Sequence, residues 1–501
     1  MAHLSALQRT TILNKLQTDT YDLTVIGGGI TGAGIALDAA SRGMKVALIE
    51  MRDFASGTSS KSTKLIHGGL RYLAQFDIAL VREVGRERAI VHRIAPHLVL
   101  AKKMLMPLVE GGTYGKLSTS FGLKVYDFLA EVKGDDRRKM LSKEETLQKE
   151  PMLREDILAG SGFYAEYRTD DARLTMENIK TAAKHGAICI NYVKAEEFVY
   201  TDGKVSGIKC KDLHDNTDLQ INSKVIVSAA GPWVDGLRSK DKSLTGKHLF
   251  LSKGVHIVVP RERFPLNYTT YFDVPGGRMI FAVPRQRSTY IGTTDTPYDG
   301  DKNRILTNLE DVEYLLKGVN SMFPDLNLTL EDVESSWAGL RPLIHEEGKS
   351  ATEMSRKDEI FESDTGLISI AGGKLTGYRK MAERILDRVS KRFKEDYDQS
   401  FPDTDTAKII LTGGPFANKE AVGDYTKEVR ARLPQDLPAY VADYLVANYG
   451  RQTDTLIEKM ADFASDNSET ALARTELYFT IHNELVHTPL DFFNRRTGRL
   501  Y

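Results

Sequence analysis

"YDLTVIGGGITGAGIALDAASRGMKVALIE" occupies residues 21–50. It opens as a short apolar strand, enters a glycine turn, and continues as a helix with small residues on one face, closed by Gly43. A second apolar strand, "MKVALIE", ends at Glu50. Strand, glycine turn, helix and strand form a βαβ unit, which sets two strands parallel in one sheet. Gly27, Gly29 and Gly32 permit a tight turn and the close approach of a pyrophosphate to the helix N-terminus. Glu50, about 20 residues on, is placed to hold a ribose hydroxyl. A glycine motif alone says little. With its strand, helix and acid in place it predicts an α/β chain that binds a dinucleotide, with FAD and NAD both open.

Just downstream lies "TSSKSTKLIHGGLRYL", residues 58–73. Thr58, Ser59, Ser60 and Lys64 are donors suited to pyrophosphate or flavin carbonyl oxygens. Arg71 and Tyr72 add a cation and a phenol, as an anionic substrate requires. Read alone, the stretch could equally be an ordinary solvated loop.

A chain of 501 residues is long for one core, so two or three domains are expected. Its 68 basic and 69 acidic residues leave a formal net charge of −1, which argues against a nucleic-acid partner. The two cysteines, Cys189 and Cys210, make no disulfide framework and read as buried thiols in a reducing compartment. The first residues lack the apolar segment of a secretory signal, and no apolar run approaches the roughly 20 residues that span a bilayer. The expectation is a soluble or peripheral protein.

Further along, "IALVREVGRERAIVHRI", from Ile78, has apolar positions at helical spacing. It reads as a solvated amphipathic helix, with a membrane-surface helix the rival. "ARLTMENIKTAAKHGA" from Ala172 is helical, and the meander after it carries a hairpin signal at Asp202-Gly203. "KVIVSAAG" reads as a buried parallel strand ending in glycine. Residues 246–345 form a different layer of short strands and one helix. "LISIAGGKLTGYRKMAERILDRVSKRF" returns to strand, turn and helix, and the chain is mostly helical from about Phe401.

Several scattered residues could carry chemistry. "AAGPWVDGLR", residues 229–238, brings backbone near a ligand or is a plain strand-to-helix junction. His256 in "SKGVHIVV" could be a core histidine as readily as a base. Thr293, Thr294 and Asp295, Arg341 in "WAGLRPL", and Lys374 with Thr376 in "AGGKLTGYRK" complete the set. The turn Gly372-Gly373-Lys374 before a helix favours anions. No metal site is expected: there is no CxxC or HExxH, and His92 and His97 are not at i, i+4.

Taken together, "DLTVIGGGITGAGIALDAASRG", "GTSSKSTKLIHGGLRYL", "DDARL", "AAGPWV", "KGVHIVVP", "IGTTDT", "WAGLRPL" and "GGKLTGYRK" resemble FAD-dependent glycerol-3-phosphate dehydrogenase, in that family's order and over nearly the whole chain. The resemblance implies the fold of the D-amino-acid-oxidase-like flavoproteins. Residues 1–80, 150–245 and 350–395 would form a discontinuous Rossmann-type FAD domain. Residues 81–149 and 246–349 would form a mixed-sheet substrate domain, and 396–501 a helical C-terminal domain. It implies oxidation of sn-glycerol 3-phosphate to dihydroxyacetone phosphate, with hydride passing from C2 to flavin N5. His256 would be the base, with His67 in reserve, and Arg341 would polarise the developing alkoxide or carbonyl. Arg71, Tyr72 and Lys374 would hold the phosphate. Gly27, Gly29, Gly32, Glu50, Thr58, Ser59, Ser60, Lys64, Val193, Gly231, Gly373 and Thr376 would hold FAD.

Glycerophosphate oxidases, which use oxygen, are similar but carry an extra segment between "GLRPL" and "GGKLT". Its absence here favours a dehydrogenase that passes electrons to a membrane quinone. The calcium-binding extension and transit peptide of mitochondrial relatives are also missing, so a bacterial-type cytoplasmic enzyme is expected, with peripheral contact at the inner face of the cell membrane. The chain stops at "FFNRRTGRLY", earlier than the resemblance leads one to expect, which bears on membrane docking more than on catalysis. A homodimer is left open. The rivals are an oxidase of the same fold acting on an amine or amino acid, and a flavin-binding tRNA-modifying protein. The number of cations opposes the first, and the near-zero net charge the second. A non-catalytic nucleotide-binding module is a further rival, which would have no need for the set Arg71, His256, Arg341 and Lys374.

Overall fold

A computed structural model describes residues 4–67, 78–112, 137–275, 277–345, 358–463, 465 and 467–500. Two sheets and a helical unit make up the architecture. The first sheet runs in the order Asp358–Glu362, Ile368–Gly372, Asp218–Ser228, Thr20–Ile26, Val46–Ile49, Ile188–Ile190. Its central strands are parallel, as the βαβ reading requires. They are apolar on both faces because helices Ile30–Ser41, Asp171–Lys184 and Tyr378–Tyr397 join them in one core. The small residues of the first helix let its neighbours come close: a Cβ on Gly34 would lie 2.9 Å from the Tyr378 ring. The hairpin Val193–Thr201/Lys204–Asp212 turns at Asp202 and Gly203, both at positive φ, as the Asp-Gly signal predicts.

The second sheet is mixed. Strand Leu249–Pro260 pairs with both Ser288–Gly292 and Ser335–Ile344, and the sheet continues through Arg278–Arg285, Thr269–Val274, Leu100–Val109 and Leu158–Arg168. Helix Leu309–Met322 covers one face through Leu315, Leu316 and Val319. The other face is left for the site. We keep the sequence-based division into domains as a proposal, noting that Leu158–Arg168, within the 150–245 range, pairs into this second sheet.

Helices Lys419–Arg432, Tyr440–Tyr449, Thr453–Met460 and Ser468–Asn483 form the third unit around Val429, Leu445 and Leu456. The expected helical C-terminal region is therefore present.

Helix Ile78–Ile94 forms as its periodicity predicts, with Arg82, Arg86 and Arg93 exposed, but two of its charged residues are not solvated. Glu87 is buried against Arg379 (2.8 Å) and Arg88 against Glu166 (3.0 Å). A buried charge costs several kcal/mol unless paired, and here the partners come from distant segments.

Buried ion pairs also fasten the C-terminal unit to the first sheet. Arg173 and Lys180 meet Glu484, and Arg495 and Arg496 meet Asp53. Beside this network His97 is wholly buried, with neither ring nitrogen hydrogen-bonded among the described residues. Burial first, then Arg173 and Lys180, push its imidazole down to about 3. The unfolded chain therefore takes up a proton near pH 6.5 that the folded chain refuses, so stability falls as pH drops below that value. Over the 1.5 units from 6.5 to 5 this costs about 2 kcal/mol. We expect His97→Leu to lose about 2 kcal/mol less than wild type between pH 7.5 and 5.0 in urea unfolding of the FAD-loaded protein. Parallel curves would refute the assignment.

Candidate active site

A cavity of about 330 Å³ opens beyond the carboxyl ends of the parallel strands, where ligands bind in sheets of this kind. Of the expected cofactor residues, Gly27, Gly29, Glu50, Thr58, Ser59, Val193, Gly231 and Gly373 line it, and so does Lys374. Gly27 has φ +117°, and a Cβ there would stand 2.5 Å from the Ala229 carbonyl oxygen. The Gly28 N–H donates to Glu50 Oε2 at 2.7 Å and the Arg52 N–H to Oε1 at 2.9 Å. Both oxygens are thus fixed while keeping lone pairs for ribose hydroxyls. Burial raises the Glu50 carboxyl above its ordinary range, against the pull of these two bonds. Ser59 Oγ accepts from the Ile30 N–H at 2.9 Å, at the N-terminus of helix Ile30–Ser41.

Gly32 does not line the cavity but shapes it. A Cβ there would fall 1.9 Å from the Gly27 carbonyl oxygen, so only glycine lets the helix seat beneath the turn. Gly32→Ala is accordingly expected to weaken FAD retention at least about tenfold while the C-terminal helices stay folded. Equal flavin content after gel filtration would count against this.

Of the described residues of the second sheet, only Pro342, in strand Ser335–Ile344, lines this cavity; the expected catalytic residues His256, Arg341 and His67 lie outside its lining. Along Leu249–Pro260, side chains alternate between the helix-covered face, with Val255, Ile257 and Val259, and the opposite face. His256, Gly254 and Ser252 share that second face. Opposite them in register stand Trp337, Gly339 and Arg341. The paired glycines make room for longer side chains: the Arg341 guanidinium lies over Gly254 and the Lys61 side chain over Gly339. Arg341 is fixed by the Thr294 carbonyl (3.1 Å), Thr293 Oγ1 (2.8 Å) and Asp295 (3.2 Å).

His256 is buried, stacked on Trp337 with centroids 4.8 Å apart and planes at 11°. Its Nε2 lies 3.0 Å from Thr63 Oγ1, next to Ser62 of the cavity wall. Burial, then Arg341 and Lys64, hold its imidazole well below the usual range, so it is neutral at physiological pH.

Lys374 follows the turn Gly372–Gly373, whose glycines both have positive φ, and precedes helix Tyr378–Tyr397. Thr376 does not line the cavity; its hydroxyl donates to the His67 carbonyl at 3.3 Å. The His67 ring lies 6.0 Å from Phe281, which is opposite Gly292 in the row that includes His256. Arg71 and Tyr72 lie outside the described residues.

Lys64 is placed otherwise than expected. It is buried, with Nζ 2.6 Å from Asp171 and 3.6 Å from Asp170, and it is not among the cavity residues. A buried ammonium is stabilised best by a carboxylate, and Asp171 also accepts from Ser62. Ser60 is likewise buried away from the lining; its carbonyl accepts from Lys64. Sequence reasoning missed Thr63, Trp337 and Asp171 as parts of the site. All three sit inside the quoted motifs, but which side chains they meet depends on tertiary register.

The lining suits a nucleotide: it combines the Glu50 acid, a helix N-terminus beside the Ser59 hydroxyl, and Thr58, Ser62, Gly373 and Lys374. Among the described residues no group of three or more His, Cys, Asp or Glu could hold a metal ion. No described helix is long and apolar enough to cross a membrane.

Comparison with known proteins agrees with this geometry. Residues 22–379 match the model of the FAD dependent oxidoreductase family, and residues 404–501 match that of the C-terminal domain of alpha-glycerophosphate oxidase. The aerobic glycerol-3-phosphate dehydrogenase of Bacillus subtilis (strain 168) is 51% identical over 501 residues, 99% of this chain and 90% of that protein. That of Staphylococcus aureus (strain USA300) is 51% identical over 502 residues, with the same shares covered. The crystal structure of the glycerol-3-phosphate dehydrogenase from Bacillus halodurans, complexed with FAD, has a TM-score of 0.82 at 44% identity, covering 99% of this chain and 89% of that one. An FAD-bound L-alpha-glycerophosphate oxidase from Mycoplasma pneumoniae has a TM-score of 0.61 at 19% identity, covering 77% and 97%; it shares the fold. With both parts of the chain matched and relatives half identical along nearly its whole length, the chain belongs to the FAD dependent oxidoreductase family, alongside the aerobic glycerol-3-phosphate dehydrogenases.

Proposed function

We propose that the protein is an FAD-dependent glycerol-3-phosphate dehydrogenase that oxidises sn-glycerol 3-phosphate to dihydroxyacetone phosphate. The observation that carries this is full-length identity of 51% to proteins of that name, joined to a cavity with the FAD-type glycine turn and acid. FAD held in that cavity supplies the acceptor, flavin N5, for the C2 hydride.

The chain's own residues do the rest. In our reading the neutral His256 takes the proton of the 2-hydroxyl at Nε2, the nitrogen beside Thr63. Arg341, oriented by Thr293, Thr294 and Asp295, stabilises the negative charge that develops on that oxygen. Lys374, together with Arg71 and Tyr72, is proposed to hold the phosphate dianion. His67 is the reserve base. Electrons are proposed to leave to a quinone, the protein being cytoplasmic and in peripheral contact with the inner face of the membrane. A homodimer is compatible with all of this.

The match of residues 404–501 to a family model named for an oxidase favours oxygen as the second reading of the acceptor. Anaerobic stopped-flow with sn-glycerol 3-phosphate, followed by admission of oxygen, separates the two. Bleaching of the flavin with slow reoxidation is the expected result. Fast reoxidation with release of peroxide would make the protein an oxidase, and no bleaching of FAD-loaded protein would refute the substrate.

A further inference from the structure

A second cavity, of about 360 Å³, lies between the substrate sheet and the C-terminal helices. Its size is at the lower end of small-molecule sites. One wall is the sheet face that carries His256, presented here as Tyr290 and Trp337. The facing wall comes from helix Tyr440–Tyr449, with Tyr440 and Tyr444. Four aromatic side chains on two opposed walls suit a flat ring better than a flexible aliphatic chain.

The cations point to charge. Arg285, Arg287 and Arg499 border the cavity against one lining carboxylate, Glu469. Arg285 is aimed by Asp170 at 2.9 Å and Arg499 by Glu476, which also accepts from Tyr444 at 2.6 Å. Behind Arg285 stands Arg168, whose guanidinium donates to the Pro284 carbonyl at 3.2 Å. Burial, then Arg285, push the Arg168 guanidinium down, while Tyr290 and, from the facing helix, Asp443 oppose this in part. Guanidinium groups held in place by carboxylates recognise planar or tetrahedral anions by paired hydrogen bonds.

The cavity also borders the candidate base. Trp337 forms part of its wall and carries the stacked His256 ring, while Lys64 Nζ stands 5.8 Å from the Trp337 ring. A ligand that shifts Trp337 therefore moves the surroundings of His256.

We propose that this cavity binds a small molecule combining a flat conjugated ring with an anionic group, and that its occupancy changes the rate of substrate oxidation through the Trp337–His256 stack. The coupling half rests on His256 being the base; the binding half does not.

Adenosine 5′-monophosphate and 4-hydroxybenzoate are suitable probes, applied to the FAD-saturated enzyme so that the nucleotide site is already filled. We expect saturable one-to-one binding of at least one of them in equilibrium dialysis. Tyr440→Ala and Arg287→Ala, both at the exposed rim, should each weaken it about tenfold. Adenosine and inorganic phosphate alone should bind at least about tenfold more weakly than the nucleotide. Saturating ligand should change the flavin reduction rate at least about twofold in wild type but not in Tyr440→Ala. No saturable binding, or binding indifferent to both variants, overturns the site. Equal binding of phosphate alone overturns the ring requirement, and binding without a change in rate overturns the coupling. If His256→Asn reduces flavin normally while the probes still bind as described, the base assignment fails and the site stands.

Discussion

His256→Asn is expected to slow flavin reduction by sn-glycerol 3-phosphate roughly a hundred- to ten-thousand-fold, with substrate affinity within about threefold of wild type. Asparagine occupies the same sheet position, but its amide reaches only as far as Nδ1, so it gives up the contact with Thr63 Oγ1 and cannot accept the hydroxyl proton. Two features of the site pull in opposite directions. Burial, Arg341 and Lys64 depress the imidazole and so make it a weaker base. The same Arg341 stabilises the oxyanion left when the proton departs, which makes the hydroxyl easier to ionise. A neutral base beside a fixed cation is a workable pair. Because the folded-state value lies below the usual 6.5, wild-type reduction should show no acid limb from this group between pH 6.5 and 8; any such limb belongs lower. His67→Asn is the control, expected to stay within about threefold of wild type. The reverse pattern would transfer the role to His67.

What the sequence revealed and what it hid divide along physical lines. The βαβ unit was legible because its strands are apolar on both faces and Gly27 needs a positive φ, both local facts. The hairpin at Asp202-Gly203 was legible for the same reason. So were the positions of Glu50 and Lys374, each a short step from a strand end. Hidden were the contacts made by registers and long closures. Lys64 looked like a ligand donor because its partner, Asp171, is 107 residues away. Glu87 looked solvated because Arg379 is 292 residues away. Trp337 lay within a quoted motif, yet its stacking on His256 follows only from antiparallel register between two strands. Charged side chains read as solvent-facing unless the partner is known, and no local pattern names the partner.

Asp53→Asn is expected to destabilise the folded protein by about 3 kcal/mol and to loosen FAD, because it removes the carboxylate shared by two buried guanidinium groups, leaving Arg495 with Asp491 and Arg496 with the more distant Glu484. Asp53 lies three residues after Glu50, wholly buried, and accepts from Arg495 Nε at 2.5 Å and from Arg496 at 2.8 Å on each oxygen. Asn191 donates to it at 2.9 Å. Arg495 and Arg496, despite burial, bring the carboxyl down to about 2. A carboxylate so depressed contributes its full stability above its unfolded value near 3.8 and loses it only as pH falls toward 2, so the effect is complete at pH 7. Arg496 also reaches the Glu484 carbonyl at 2.8 Å, and Glu484 pairs with Arg173 of the helix beneath the sheet. The segment Asp491–Arg496 therefore anchors the loop whose start, through Glu50, forms the cavity wall. The measurement is flavin release on heating, compared for wild type, Asp53→Asn, Arg496→Met and the double variant. Asp53→Asn should release flavin earliest among the single changes, and the double variant should recover part of the loss, since removing both charges leaves less uncompensated charge than removing one. Additive effects in the double variant would mean that the pair acts through separate contacts and does not link the C-terminal segment to the cofactor loop.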